Sequence, residues 1–102
     1  MASAKDWFDF VENRDGAWFA IADAAGTGPT AAGLGAAALG ALRAARRSGH
    51  DLEQALQTMH ETVRRLENPD FYVTALVARW RAGDQHLHLG QLRPPARLPG
   101  QR

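Results

Sequence analysis

Asp6 and Asp23 stand at the two outer ends of a segment that reads as a hairpin. The first run, Trp7-Phe8-Asp9-Phe10-Val11, is aromatic and β-branched, and the second, Ala17-Trp18-Phe19-Ala20-Ile21-Ala22, is apolar throughout. In a hairpin the start of one strand lies beside the end of the next, so both carboxylates should project from the same end of the sheet. Two carboxylates there invite a cation, and oxygen-only ligation selects Mg²⁺ or Mn²⁺. Behind Asp23 the loop Gly26-Thr27-Gly28-Pro29 opens into a helix, whose N-terminal amides suit a phosphate. Taken on spacing alone, the ordinary alternative is preferred: the acids cap turns and the glycines let the chain reverse.

Other chemistries are excluded or weigh less. The chain has no cysteine, which removes disulfides, thiolate zinc sites, iron–sulfur clusters and a cysteine nucleophile. His86 and His88 share one face of an alternating segment, yet without a third ligand they read as an exposed polar face. His50 and His60 fall at a helix junction and on a helix surface, and Asp70 and Asp84 sit in turns, so none receives a metal role. Arg43, Arg46 and Arg47 could receive a phosphoprotein, but at a helix C-terminus their usual service is to the dipole and to solubility. Twelve Lys and Arg against 11 Asp and Glu leave a net charge of +1, which gives no footprint for nucleic acid. The longest uncharged apolar run, Ala31 to Leu42, is diluted by glycine and is shorter than the ~20 residues a membrane span needs. The beginning, Met1-Ala2-Ser3-Ala4-Lys5-Asp6, lacks the pattern of a secretory signal, so a cytoplasmic protein is expected.

The elements that must position the two aspartates follow in a simple order. Asn13-Arg14-Asp15-Gly16 is a turn, and the second strand, apolar at nearly every position, reads as covered on both faces. An Ala-rich helix runs from Thr30 to about Arg47 and closes at Ser48-Gly49. Its glycines, Gly33, Gly35 and Gly40, suggest close packing. Asp51 is an N-cap with Gln54 at the third helical position, and Leu52, Leu56, Met59, Val63 and Leu66 mark a second, amphipathic helix that stops at Asn68-Pro69. Phe71 to Trp80 is the strongest strand signal, and Gln85-His86-Leu87-His88-Leu89 alternates as its half-buried partner. The order ββααββ, built of consecutive hairpins, implies an α+β fold: an antiparallel sheet with two helices packed on one face. Residues 1–92 form the domain, and 93–102, rich in proline and arginine, form a C-terminal tail.

Four pieces of this order resemble a known family. Asp6-Trp7-Phe8-Asp9, a hairpin, then Ile21-Ala22-Asp23-Ala24-Ala25-Gly26-Thr27-Gly28 and an Ala-rich helix are similar to the signature of bacterial PPM-type serine/threonine phosphatases of the sporulation and sigma-factor switches, which reads Gly-Gly-Asp-Trp-Tyr-Asp and Gly-Asp-Val-x-Gly-His-Gly. Phe71-Tyr72-Val73-Thr74-Ala75-Leu76-Val77-Ala78 resembles a later strand of that family, and Gln91-Leu92-Arg93-Pro94-Pro95 its Ala-Gly-His-Pro-Pro segment. The resemblance implies that Asp6 and Asp23 are metal ligands in a Mn²⁺ or Mg²⁺ centre, with the carbonyl of Ala24 as a further ligand. No catalytic side chain beyond the metal ligands is implied. The chain departs from the pattern at Ala4, Lys5, Thr27, Leu92 and Arg93. The family's later Ser-Asp-Gly and Asp-Asp segments have no counterpart, so the resemblance is to a partial domain, about half of the family's α-β-β-α sandwich.

Three functions are compatible with these residues. The first is a metal-dependent phosphatase acting on a phosphorylated regulatory protein of the anti-sigma-factor antagonist type. The second is a catalytically inactive module of the same descent that binds a phosphoprotein or a sigma-factor regulator. The third is a fragment that folds poorly, since half a sandwich leaves an apolar sheet face uncovered, a face that a homodimer would cover.

Overall fold

The computed structural model describes residues 6–93. Strands β1 (Asp6–Asn13) and β2 (Gly16–Ala25) are followed by helices α1 (Gly28–Arg47) and α2 (Leu52–Val63) and by strands β3 (Tyr72–Arg81) and β4 (His86–Leu92). The strands form one antiparallel sheet in the order β1-β2-β3-β4. The α+β class and the ββααββ order are those expected from the sequence. The segment 94–102, which holds most of the expected tail and the prolines of the Pro-Pro motif, lies outside the described residues.

The first hairpin turns on Arg14 and Asp15, with Asn13 opposite Gly16. Asn13 secures the turn by accepting a hydrogen bond on Oδ1 from the Asp15 amide at 2.9 Å. Gly16 therefore serves the strand and not the turn centre. Its φ is +144°, and a Cβ there would collide with the carbonyl of Trp80 on the neighbouring strand.

Alternation along the strands assigns the faces. Trp18, Ala20 and Ala24 of β2 and Val73, Ala75 and Val77 of β3 are buried against the helices. They meet Ala31, Leu34, Ala38, Leu42 and Ala45 of α1 and Leu52, Ala55, Met59 and Val63 of α2 in one continuous core. Small residues line the buried face of α1, so the helix lies close to the sheet. Of the three glycines, Gly35 is buried, whereas Gly33 and Gly40 face open space. Trp7 ties β1 to this helix by donating its indole N–H to the Gly35 carbonyl at 2.9 Å.

The capping box at α2 is present in full: Asp51 accepts from the Gln54 amide at 2.8 Å, and the Gln54 side chain accepts from the Asp51 amide at 3.0 Å. Asp51→Ala should lower stability by about 1 kcal/mol in a denaturant titration, because an orphan amide at the helix start loses its partner. The helix ends at Val63, earlier than its periodicity suggests, and Leu66 is exposed. The reason is local: Leu66 and Glu67 donate to the Val63 carbonyl in a tight turn, and the Glu67 carboxylate accepts from the Val73 amide at 2.8 Å, steering the chain into β3.

Strand β4 runs on to Leu92, beyond the stretch read from alternation. At Gly90 the strand passes close beneath α2, where a Cβ would strike the end of the Leu56 side chain. Gly90→Val is expected to lower the melting temperature, with an overpacking cost of about 1–3 kcal/mol.

The second face of the sheet departs from expectation. Phe19 and Ile21 of β2, read as covered on both sides, are 42% and 45% exposed. Both helices lie on the other face, and no described element covers this one.

Candidate metal centre

The register of β1 and β2 sets Asp6 directly opposite Asp23, and that of β2 and β3 sets Asp23 opposite Thr74. Directly opposed residues of an antiparallel pair have Cα atoms roughly 4.5–5.5 Å apart, so two carboxylates so placed are within reach of one cation. Alternation puts Asp6 with Phe8 and Phe10, and Asp23 with Phe19 and Ile21, on the face away from the helices. The expected juxtaposition is thus present.

Beside Asp23 this face holds a cavity of about 450 Å³, walled by Ile21, Thr74, Leu76, Gln91 and Arg93. The Thr74 hydroxyl donates to the Asp23 carbonyl at 3.5 Å, a weak tether between the strands at this end. Ala24 is fully buried with its methyl group toward the helices, opposite Val73. The backbone carbonyl is the one ligating atom Ala24 has, and in this structure the whole residue is buried. The loop that follows is shaped by Gly26, whose φ is +108° and whose missing Cβ leaves room for the Phe71 ring. Gly28, at φ +73°, then leads into Pro29 and the first turn of α1, which contains no acidic side chain.

The remaining candidates fall elsewhere. His86 and His88 have ring centroids 6.0 Å apart, but they stand opposite Arg81 and Arg79, a positive setting that disfavours a cation. His86 donates from Nδ1 to the Asp84 carbonyl at 2.9 Å. Among the described residues, no group of three or more His, Cys, Asp or Glu converges in a way that would hold a metal.

One residue of the same segment had no role assigned from the sequence. Asp9, three residues after Asp6, points to the opposite face, where Arg43 donates to Oδ1 at 3.1 Å and Arg46 to Oδ2 at 2.9 Å. Burial by itself would raise the Asp9 pKa, but the two guanidinium groups outweigh it and hold the carboxyl below its ordinary value. Two of the three arginines expected to serve the dipole or to receive a phosphoprotein, Arg43 and Arg46, are therefore engaged in fixing α1 to β1. Strand parity was the available signal, because positions 6 and 9 cannot share a face of one strand.

Comparison with known families matches the model of stage II sporulation protein E (SpoIIE) over residues 13–96, most of the chain. The match contains Asp23 and Ala24 and begins after Asp6. Neither the curated proteins nor the solved structures gave a match. Among the described residues no helix is long and apolar enough to cross a membrane. With a family model spanning β2 to β4, and an Asp-bearing hairpin of the kind the resemblance called for, the chain belongs to the SpoIIE family of PPM-type, phosphatase-related domains.

Proposed function

We propose that Asp6 and Asp23, with the Ala24 carbonyl, hold Mn²⁺ or Mg²⁺ for the hydrolysis of phosphoserine or phosphothreonine on a regulatory protein. The observation that carries this reading is the β1–β2 register, which opposes the two carboxylates on the open face beside the cavity. The donors fit such an ion, being hard oxygens without sulfur or imidazole. The chemistry supplied by the bound ion is a lowered pKa of water and neutralisation of phosphoryl charge.

The chain's own residues do the rest. Asp6 and Asp23 fix the cation at the end of the sheet. Arg93 places a permanent positive charge on the cavity wall, suited to phosphoryl oxygens, while Ile21 and Leu76 present apolar surface to the substrate's flank. The substrate we favour is a phosphorylated regulator of the anti-sigma-factor antagonist type, met in the cytoplasm.

A second reading is favoured by the small donor set. A closed two-metal clamp takes more oxygen ligands than two carboxylates and one carbonyl. In that case the domain binds a phosphoprotein or a sigma-factor regulator without cleaving it. Incubation with a phosphoserine peptide in Mn²⁺, followed by chelation, separates the two. Phosphate release that stops on chelation supports hydrolysis, retention of intact peptide supports the binding module, and release that persists in chelator contradicts both.

A further inference from the structure

We infer that Trp7 is the residue that positions Asp6 for the cation: its indole N–H, held on the Gly35 carbonyl of α1, fixes the end of β1 against Asp23. The inference rests on the metal reading above and gives a role to a residue that reading leaves out.

Asp6 opens β1, which among the described strands pairs with β2 only. The end of such a strand is where local opening costs least. Carboxylates directly opposite one another also repel, so the register that joins Asp6 to Asp23 is opposed by its own charges until an ion is bound. Strand pairing by itself is therefore a weak hold on Asp6.

The next residue supplies a second hold. Alternation turns Trp7 to the helix side, where its ring lies half-buried, opposite Ala22 and packed against the core. From there the indole donates to the Gly35 carbonyl at 2.9 Å, across 28 positions of sequence. A carbonyl in mid-helix keeps a second lone pair beyond the one its own helix uses, and a donor from outside reaches it only where the surrounding side chains are small. Gly35 has no side chain, and Ala31 and Ala38 on the same buried face offer only methyl groups. The close packing that the glycines of α1 suggest is thus put to use at Gly35.

Strand β1 is tied to α1 twice, at Trp7 and at Asp9, and the two ties divide the work. Asp9 lies three residues past Asp6 and bridges Arg43 and Arg46, so its loss costs the fold more. Trp7 adjoins Asp6 in the chain, so loss of its hydrogen bond frees the metal-bearing end and leaves the rest in place.

Trp7→Phe keeps an aromatic ring and removes the donor. Calorimetric titration of the full chain with Mn²⁺ should show binding roughly three- to tenfold weaker than in the parent, because the ion must first draw Asp6 back to Asp23. Asp9→Asn, the more destabilising change, should leave Mn²⁺ affinity at the parent's value, which separates positioning from stability. Without metal, amide hydrogen exchange in Trp7→Phe should quicken at residues 6–8 and 21–23 and keep the parent's rate in α2. Replacing the Trp7 indole by its benzothiophene isostere through semisynthesis keeps the shape and loses only the N–H. It should reproduce both results, and it serves if Trp7→Phe does not fold. Mn²⁺ affinity unchanged in these variants, affinity lowered as much by Asp9→Asn, or exchange quickened evenly through the domain overturns the proposal. A parent that takes up no Mn²⁺ overturns the metal reading and this inference with it, a failure seen before any substitution is made.

Discussion

Asp23→Asn should reduce Mn²⁺-dependent phosphate release by on the order of a thousandfold while leaving the fold in place. The substitution keeps the shape of the side chain and removes the charge. Asp6 is then left as a single carboxylate at the end of β1, with the Ala24 carbonyl as the remaining donor of the proposed set. A single carboxylate and a carbonyl hold a hydrated divalent ion poorly. The fold itself has little at stake, because Asp23 is an exposed residue near the end of β2 and the substitution keeps its shape. Stability without metal should accordingly stay within about 1 kcal/mol of the parent. Phosphate release unchanged in Asp23→Asn, measured beside intact circular dichroism, would place the chemistry elsewhere.

Asp9→Asn is expected to do the reverse, costing stability and sparing the metal. The Asp9 side chain is 10% exposed and bridges Arg43 and Arg46, of which Arg46 is itself 15% exposed. Removing the carboxylate leaves a nearly buried guanidinium without its counter-charge, a loss of about 2–3 kcal/mol. The pH dependence follows from the lowered pKa of Asp9. The stabilisation is complete above the ordinary carboxylate range and fades as pH falls below about 4 toward the depressed folded value. The stability gap between parent and Asp9→Asn should therefore be constant near neutrality and narrow in acid, as followed by denaturant titration at a series of pH values.

The opposite fates of Asp6 and Asp9 show what could be read from the residues and what could not. Local rules sufficed where one segment decides the outcome. The capping box at Asp51 and Gln54, the turn at Asn13 and the hairpin that opposes Asp6 to Asp23 all depend on neighbours in the chain or on strand pairing across a short turn. The Asp9 bridge depends on two residues of α1 more than thirty positions away, and only the docking angle of the helix brings them together. Helix α2 ends earlier than its periodicity predicts for a similar reason. Leu66 continues the apolar period, but the turn that Glu67 fixes to Val73 takes it away from the core. Strand β2 posed a subtler difficulty. Its unbroken apolar run predicts cover on both faces, whereas the described residues cover only one and leave Phe19 and Ile21 exposed, because apolar composition alone does not fix what packs on a strand. Arg93 departs from the family pattern, and its position on the cavity wall follows from the run of β4 to Leu92.

The central claim is that the β1–β2 register makes Asp6 and Asp23 a divalent-cation site, and calorimetric titration of the full chain with Mn²⁺ tests it most directly. Saturable binding to the parent, lost in both Asp6→Asn and Asp23→Asn and retained in His88→Ala, is the predicted result. Binding that survives both aspartate substitutions, or a parent that takes up no Mn²⁺, would contradict it.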